Sequence, residues 1–153
     1  MDQLRRDTLR ISGVLGLAIA AGLLGPIDAV AEEWNKDAFD AKNYNDTLKA
    51  LGAVAVATSK ELLINAPDIA ENGAVVPLTV SCTLPNVQQI AILIDKNPFT
   101  LSANFTIPAG TEPSISTRVK MRETSNVYAL VKANGKWFVA SKEIKVTLGG
   151  CGG

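Results

Sequence analysis

The chain has 153 residues, with 15 lysines and arginines against 15 aspartates and glutamates, so its formal net charge is zero. No basic run stands out, which argues against a nucleic-acid binder, because such proteins neutralise phosphates with clustered cations. Histidine is absent, and this excludes a Ser-His-Asp or Cys-His arrangement and a histidine-based zinc site. We therefore expect a single-domain binding or carrier module with no bound metal or cofactor, rather than a conventional enzyme.

The first 31 residues have the three parts of an export signal. A basic segment contains Arg5 and Arg6, an apolar run covers residues 11–24, and Ala31 ends a small-residue cleavage motif. Cleavage after Ala31 leaves residues 32–153, and we expect this mature protein in the bacterial periplasm.

Two features of this segment leave alternatives open. The paired arginines favour the twin-arginine route over the Sec route, although Thr8 replaces the aromatic residue usual in that motif. An uncleaved membrane anchor is a second alternative. Since the apolar run is shorter than the roughly 20 residues that span a bilayer, we expect no membrane contact in the mature form.

A helical lead segment is predicted for residues 32–58, because apolar residues recur there at helical intervals. Asn45 is the predicted N-cap of its second helix and Gly52 the predicted end. We expect these helices to cover one end of the domain. The apolar positions are Trp34, Ala38, Ala41, Tyr44, Leu48 and Leu51.

Residues 59–148 change to a period of two, which is typical of β-strands. About seven short strands separated by turn signals predict an all-β fold, an immunoglobulin-like antiparallel β-sandwich. Residues 88–95 are apolar on both faces of the expected strand, and this pattern predicts a central strand. Asn134 and Gly135 predict a tight hairpin turn. The clearest alternation places Val76, Leu78, Val80, Cys82 and Leu84 on one face.

The chain ends in a cysteine surrounded by glycines. Glycine has no side chain to pack and leaves the backbone free, so Cys151 is not expected in a core. We predict that residues 149–153 form a flexible arm, in which three extended residues carry the sulfur about 10 Å beyond Leu148. The thiol would enter a narrow cleft of another protein, whose site would activate it as a thiolate. The arm consists of Gly149, Gly150, Cys151, Gly152 and Gly153.

Cys82 has the opposite surroundings. Its parity places it on the apolar face with Val80 and Leu84, where a cysteine behaves as a small hydrophobic residue. A disulfide between Cys82 and Cys151 is the alternative for an exported protein with two cysteines, but it would remove the mobility of the arm.

The glycine-flanked ending resembles that of the SoxY family, the sulfur-carrier subunits of the Sox thiosulfate-oxidation system. Residues 67–77, the Asn97-Pro98 pair and residues 116–121 also resemble segments of that family. The Asn97-Pro98 pair and residues 116–121 are either partner-docking surfaces or structural turns and strands, and the sequence leaves both interpretations open.

The resemblance implies a non-enzymatic periplasmic carrier that forms a heterodimer with a SoxZ-type subunit. Sulfur intermediates derived from thiosulfate would be held covalently on Cys151, while separate Sox enzymes load, oxidise and hydrolyse them. No role is implied for Cys82.

Two other classes of protein share parts of this pattern. Ubiquitin-like sulfur carriers end in Gly-Gly and form a terminal thiocarboxylate, but their activation needs cytosolic ATP, which conflicts with an export signal. An exported immunoglobulin-like structural or adhesion module would instead use Cys151 for an intermolecular disulfide.

Overall fold

Residues 34–148 are described in a computed structural model of the protein. Within these residues two short helices come first, α1 (Lys36–Asp40) and α2 (Tyr44–Ala50). The N-cap of α2 is Asn43, whose side chain accepts a hydrogen bond from the amide of Asp46, so the prediction of Asn45 was wrong. Asn43 also donates to the Asp46 carboxylate at 2.6 Å, and this reciprocal pairing across three residues explains why the helix begins there.

Nine strands follow, and most of them come where the alternation predicts them. The first begins before residue 59, inside the segment assigned to the helical lead. The strands are β1 (Val56–Thr58), β2 (Leu62–Asn65), β3 (Ile69–Ala70), β4 (Val76–Cys82), β5 (Val87–Ile94), β6 (Leu101–Thr106), β7 (Ser114–Val119), β8 (Ser125–Ala133) and β9 (Lys136–Val146).

The strands form two sheets, which confirms the predicted all-β fold with a short helical segment ahead of it. The larger sheet has the order β1-β9-β8-β5-β6, and β3 also pairs with β9. The smaller sheet has the order β2-β4-β7. All pairings are antiparallel except those of β1 and β3, which run parallel to β9, a feature that the alternation does not predict.

The main core lies between the two sheets. The smaller sheet contributes the apolar face of β4, which includes Val76, Val80 and Cys82. The larger sheet contributes residues such as Ile92 and Ile144, both fully buried. The predicted apolar face of β4 is therefore confirmed.

A second core lies on the other face of the larger sheet, under the helices. Ala91 and Leu93 of β5 pack there with Ala38 of α1, while the alternating residues of β5 face the main core. This two-sided burial explains why β5 is apolar at both parities, and it confirms the predicted central strand.

The hairpin between β8 and β9 has the predicted turn. Asn134 and Gly135 have φ values of 50° and 73°, the pair of positive angles that a two-residue hairpin turn requires. After this turn β9 runs without interruption for 11 residues, and its last residue lies two positions before Leu148. β9 therefore leads directly into the residues that precede the predicted arm.

Candidate functional site

The end of β9 is the part of the described structure closest in sequence to Cys151. Residues 146–148, which we call the arm root, connect β9 to the arm. Cys151 and the four arm glycines lie outside the described residues, as do Arg5, Arg6 and Ala31 of the predicted signal. The site is therefore described from the root outward.

A short segment around β3 holds one side of the arm root. The amide of Thr147 donates to the carbonyl of Ala70 at 3.0 Å, and its hydroxyl donates to the carbonyl of Glu71 at 3.0 Å. The amide of Gly73 donates to the carbonyl of Leu148 at 2.7 Å. The root is thus fixed by hydrogen bonds up to the last residue before the arm.

The opposite side of the root is held by a side chain. The Thr124 hydroxyl accepts a hydrogen bond from the amide of Val146 at 2.9 Å. Thr124 directly precedes β8, whose last backbone pair with β9 joins Ser125 and Ile144. The threonine side chain therefore satisfies an amide beyond the end of the β8–β9 ladder.

Gly73 is itself held in place by a hydrogen bond to another segment. Its carbonyl accepts from the amide of Met121 at 2.7 Å. The Asn97 side chain bridges the residues on either side of Met121: it donates to the Lys120 carbonyl at 2.7 Å and accepts from the Arg122 amide at 3.0 Å. Hydrogen bonds, together with the backbone on either side of Met121, thus connect Asn97 to Leu148.

These contacts bring together the three internal segments singled out in the sequence. Gly73 belongs to residues 67–77, Asn97 to the Asn97-Pro98 pair and Met121 to residues 116–121. The sequence leaves open whether the last two of these segments have docking or structural roles. In the structure all three support one another and the arm root. Their proximity has no local sequence signal, because it depends on pairing between distant segments.

The surface around the root is partly apolar. Leu148 is 62% exposed, Val75 55% and Ile69 57%. Asp68, at the edge of this surface, forms a salt bridge of 2.9 Å with Lys142, whose ammonium also donates to the carbonyl of Ala66. Exposed apolar side chains next to the arm are suited to contact with a second protein.

Cys82 is separated from solvent by the main core. Its side chain is 5% exposed, and its thiol forms no disulfide within the described residues. Burial raises the pKa of the Cys82 thiol, with a smaller opposing effect of a backbone hydrogen bond at Leu84 and a further increase from Glu61. A buried thiol that resists ionisation is a poor nucleophile.

Within residues 34–148, no cluster of three or more side chains that could hold a metal ion occurs. No helix in this part of the chain has the length and hydrophobicity to cross a membrane.

Comparison with known proteins shows which family the chain belongs to. Residues 48–151 match the family described as sulfur oxidation protein SoxY. The chain belongs to the SoxY family. The match reaches residue 151, so it includes the cysteine of the arm together with the sandwich.

A solved structure agrees with this assignment. The sulfur carrier protein SoxY from Chlorobium limicola f thiosulfatophilum is 35% identical, with a TM-score of 0.62 over 68% of this chain and 94% of that protein. Superoxide reductase (neelaredoxin) from Ignicoccus hospitalis is 24% identical, with a TM-score of 0.50 over 56% of this chain and 79% of that protein. The second likeness shows the sandwich fold alone. No curated protein sequence matches the chain significantly.

Proposed function

We propose that this SoxY-family protein is a periplasmic sulfur carrier that holds thiosulfate-derived intermediates covalently on Cys151. The observation that carries the proposal is the family match through residue 151, which covers the arm cysteine. The burial of Cys82 adds support, because it leaves Cys151 as the thiol suited to reaction with a partner. In this role the chain is a substrate-bearing subunit, and separate enzymes perform the chemistry.

The proposed loading step joins two sulfur atoms. The Sγ thiolate of Cys151 and the terminal sulfur of thiosulfate form a disulfide bond, which gives Cys151 Sγ–S–SO₃⁻ and releases two electrons to the loading enzyme. Hydrolysis then breaks the bond between the outer sulfur and the sulfonate. Water supplies an oxygen and two protons, so that sulfate leaves as HSO₄⁻ and a Cys151 persulfide remains for a further oxidising enzyme.

Location and partner follow from the same proposal. The signal segment of residues 1–31 directs export and is removed after Ala31. The mature chain forms a heterodimer with a SoxZ-type subunit, which covers sheet edges that the described chain leaves unpaired. A SoxZ-type subunit without its own signal would be exported already folded on this chain by the twin-arginine route.

Intact mass spectrometry of protein from the periplasm of thiosulfate-grown cells tests the carrier role. We expect a thiosulfate-derived adduct that localises to Cys151 and is absent in Cys151→Ser. The control is Cys82→Ala, which should retain the adduct. An adduct that persists in Cys151→Ser, an adduct on the terminal carboxylate of Gly153, or only a disulfide-linked dimer would contradict the proposal.

Fractionation of cells tests the export route. Changing Arg5 and Arg6 to lysine should retain both this chain and its partner in the cytoplasm, because the twin-arginine route requires the arginine pair. Normal export of the lysine variant would indicate the Sec route.

The state of the isolated mature chain tests the need for a partner. Sedimentation of residues 32–153 should show self-association through exposed edges or Cys151 disulfides, and a SoxZ-type subunit should convert this material to a heterodimer. A stable monomer under both oxidising and reducing conditions would contradict the heterodimer.

A further inference from the structure

We propose that Thr124, Thr147 and Asn97 are positioning residues that hold the arm root, so that the free carrier segment begins at Gly149 and not several residues earlier. This inference rests on the proposed function, because it gives the root a role in delivering Cys151. It concerns residues of the described structure, none of which would carry sulfur.

Such residues are needed because the backbone pairing of β9 with β8 ends several residues before the arm. Pairing between β8 and β9 ends at Ser125 and Ile144, whereas the arm begins at Gly149. The intervening residues have exposed or half-buried side chains, so apolar burial holds them only weakly. Without other contacts they would separate from the sheet and lengthen the arm.

Thr124 and Thr147 supply contacts on opposite sides of this stretch. The Thr124 hydroxyl accepts from the Val146 amide, and the Thr147 hydroxyl donates to the Glu71 carbonyl. Thr124 thus bonds an amide that the β8–β9 ladder leaves unpaired. Thr147 adds a side-chain hydrogen bond to the backbone bonds that already join this stretch to the segment around β3. Gly73 completes the arrangement through its bond to the carbonyl of Leu148.

Asn97 acts through Gly73. By bonding to both Lys120 and Arg122, it fixes the intervening Met121, whose amide donates to Gly73. Three successive hydrogen bonds thus separate its side chain from Leu148, and its own side-chain hydrogen bonds are to Lys120 and Arg122 rather than to the root. We expect its loss to affect the root less than loss of Thr124 or Thr147.

The length of the free segment determines how often the sulfur meets a docked enzyme. With the root held, three residues lead from Leu148 to the cysteine; with residues 146–148 released, six residues do so. Effective concentration falls roughly with the −3/2 power of linker length, so this doubling lowers it about threefold. A released root would also lose the fixed direction in which the arm starts.

The test uses Thr124→Val and Thr147→Val, singly and together, because valine keeps the shape of threonine and removes the hydroxyl. Thr79→Val is the matched control, since Thr79 loses a comparable 2.8 Å hydrogen bond to Ser116 in the smaller sheet. All variants carry Cys82→Ala, so that a nitroxide label attaches to Cys151 alone. Asn97→Asp is a mild additional variant that retains the acceptor for Arg122 and removes the donor to Lys120.

Three measurements separate positioning from general stability. Amide exchange at Val146 and Gly73 should rise about fivefold in the single threonine variants, the effect of one lost hydrogen bond. The nitroxide on Cys151 should become more mobile, most of all in the double variant. Sulfur transfer to a partner enzyme should fall about threefold in the double variant, while reaction of Cys151 with a small thiol reagent stays unchanged.

The result that would overturn the inference is an unchanged nitroxide spectrum and unchanged exchange in the double variant. Equal changes in Thr79→Val would overturn it as well, because they would reflect a general loss of stability. Failure of the proposed function is a separate result: if Cys151 carries no sulfur but the threonine variants loosen the root, the positioning role stands.

Discussion

Leu62 of β2 lies directly opposite Cys82 of β4 in the antiparallel register, and both side chains are buried. The pair joins an edge strand of the smaller sheet to its central strand. Because the thiol fills space in this contact, Cys82 serves the fold as a small apolar residue. We therefore expect the reactivity of the Cys82 thiol to differ sharply from that of Cys151.

Replacing Cys82 by alanine should lower the free energy of unfolding by roughly 1 kcal/mol, because a small buried side chain is lost from the main core. Urea denaturation of the variant and the parent protein measures this difference. Thr83→Ala, on the exposed neighbouring position, is the control and should change stability less. If Cys82→Ala abolished sulfur loading while the protein remained folded, the purely structural role of Cys82 would be wrong.

The stabilising contribution of Cys82 should also depend on pH. Burial raises the thiol pKa above its ordinary value of 9.0 in the folded protein, so with rising pH the unfolded chain loses its proton first. The contribution is complete below pH 9.0 and is lost as the pH rises through the folded pKa. The difference in unfolding free energy between the parent and Cys82→Ala should therefore shrink above pH 9.0. A difference that grows with pH would contradict the direction of the shift.

Gly135→Ala should destabilise the β8–β9 hairpin by about 1 kcal/mol, since alanine resists the left-handed conformation at φ 73°. A Cβ at this position would meet no atom within 4 Å, so the cost comes from the backbone and not from a clash. Thermal unfolding measures the loss. Gly135→Asn should be milder, because asparagine tolerates this conformation, and equal losses in both variants would argue against the backbone explanation.

Substitutions of the glycines before Cys151 and of those after it should impair sulfur transfer in different ways. Proline at both Gly149 and Gly150 should slow transfer to every partner enzyme, because it restricts the arm, while a small thiol reagent reacts normally. Gly152→Val should impair mainly the partner with the narrowest cleft, because it adds bulk next to the sulfur. Transfer rates with two different Sox enzymes distinguish these effects.

Both glycine variants should retain the melting temperature of the parent. The prediction assumes that the arm adds little buried area to the sandwich. A large decrease in either variant would mean that residues 149–153 pack against the domain, and the swinging-arm interpretation would then be wrong.

The sequence predicts the elements whose pattern is local. Alternation identified the buried face of β4, and the two-sided apolar run identified β5 as central. Asn134 and Gly135 predicted the hairpin turn, because few other residue pairs adopt two positive φ angles. Each of these predictions depends on neighbours along the chain.

The features that were not predicted depend on distant partners. β3 has only two residues, too few to show a period, and its strand conformation comes from pairing with β9. The polar residues Ser141, Lys142 and Glu143 interrupt the apolar pattern, so alternation alone does not show that β9 continues for 11 residues. The contacts at the arm root were likewise missed, because Gly73, Asn97 and Thr124 carry no shared motif.

The parallel pairings of β9 have a consequence for how the protein is made. β1 and β3 come early in the described chain, yet their partner β9 is the last of its nine strands. Sheet contacts between such distant segments form slowly, because a long loop must close first. The larger sheet is therefore completed only after β9 has been synthesised. If export uses a route for folded proteins, the arm cysteine is synthesised before the chain is ready to leave the cytoplasm.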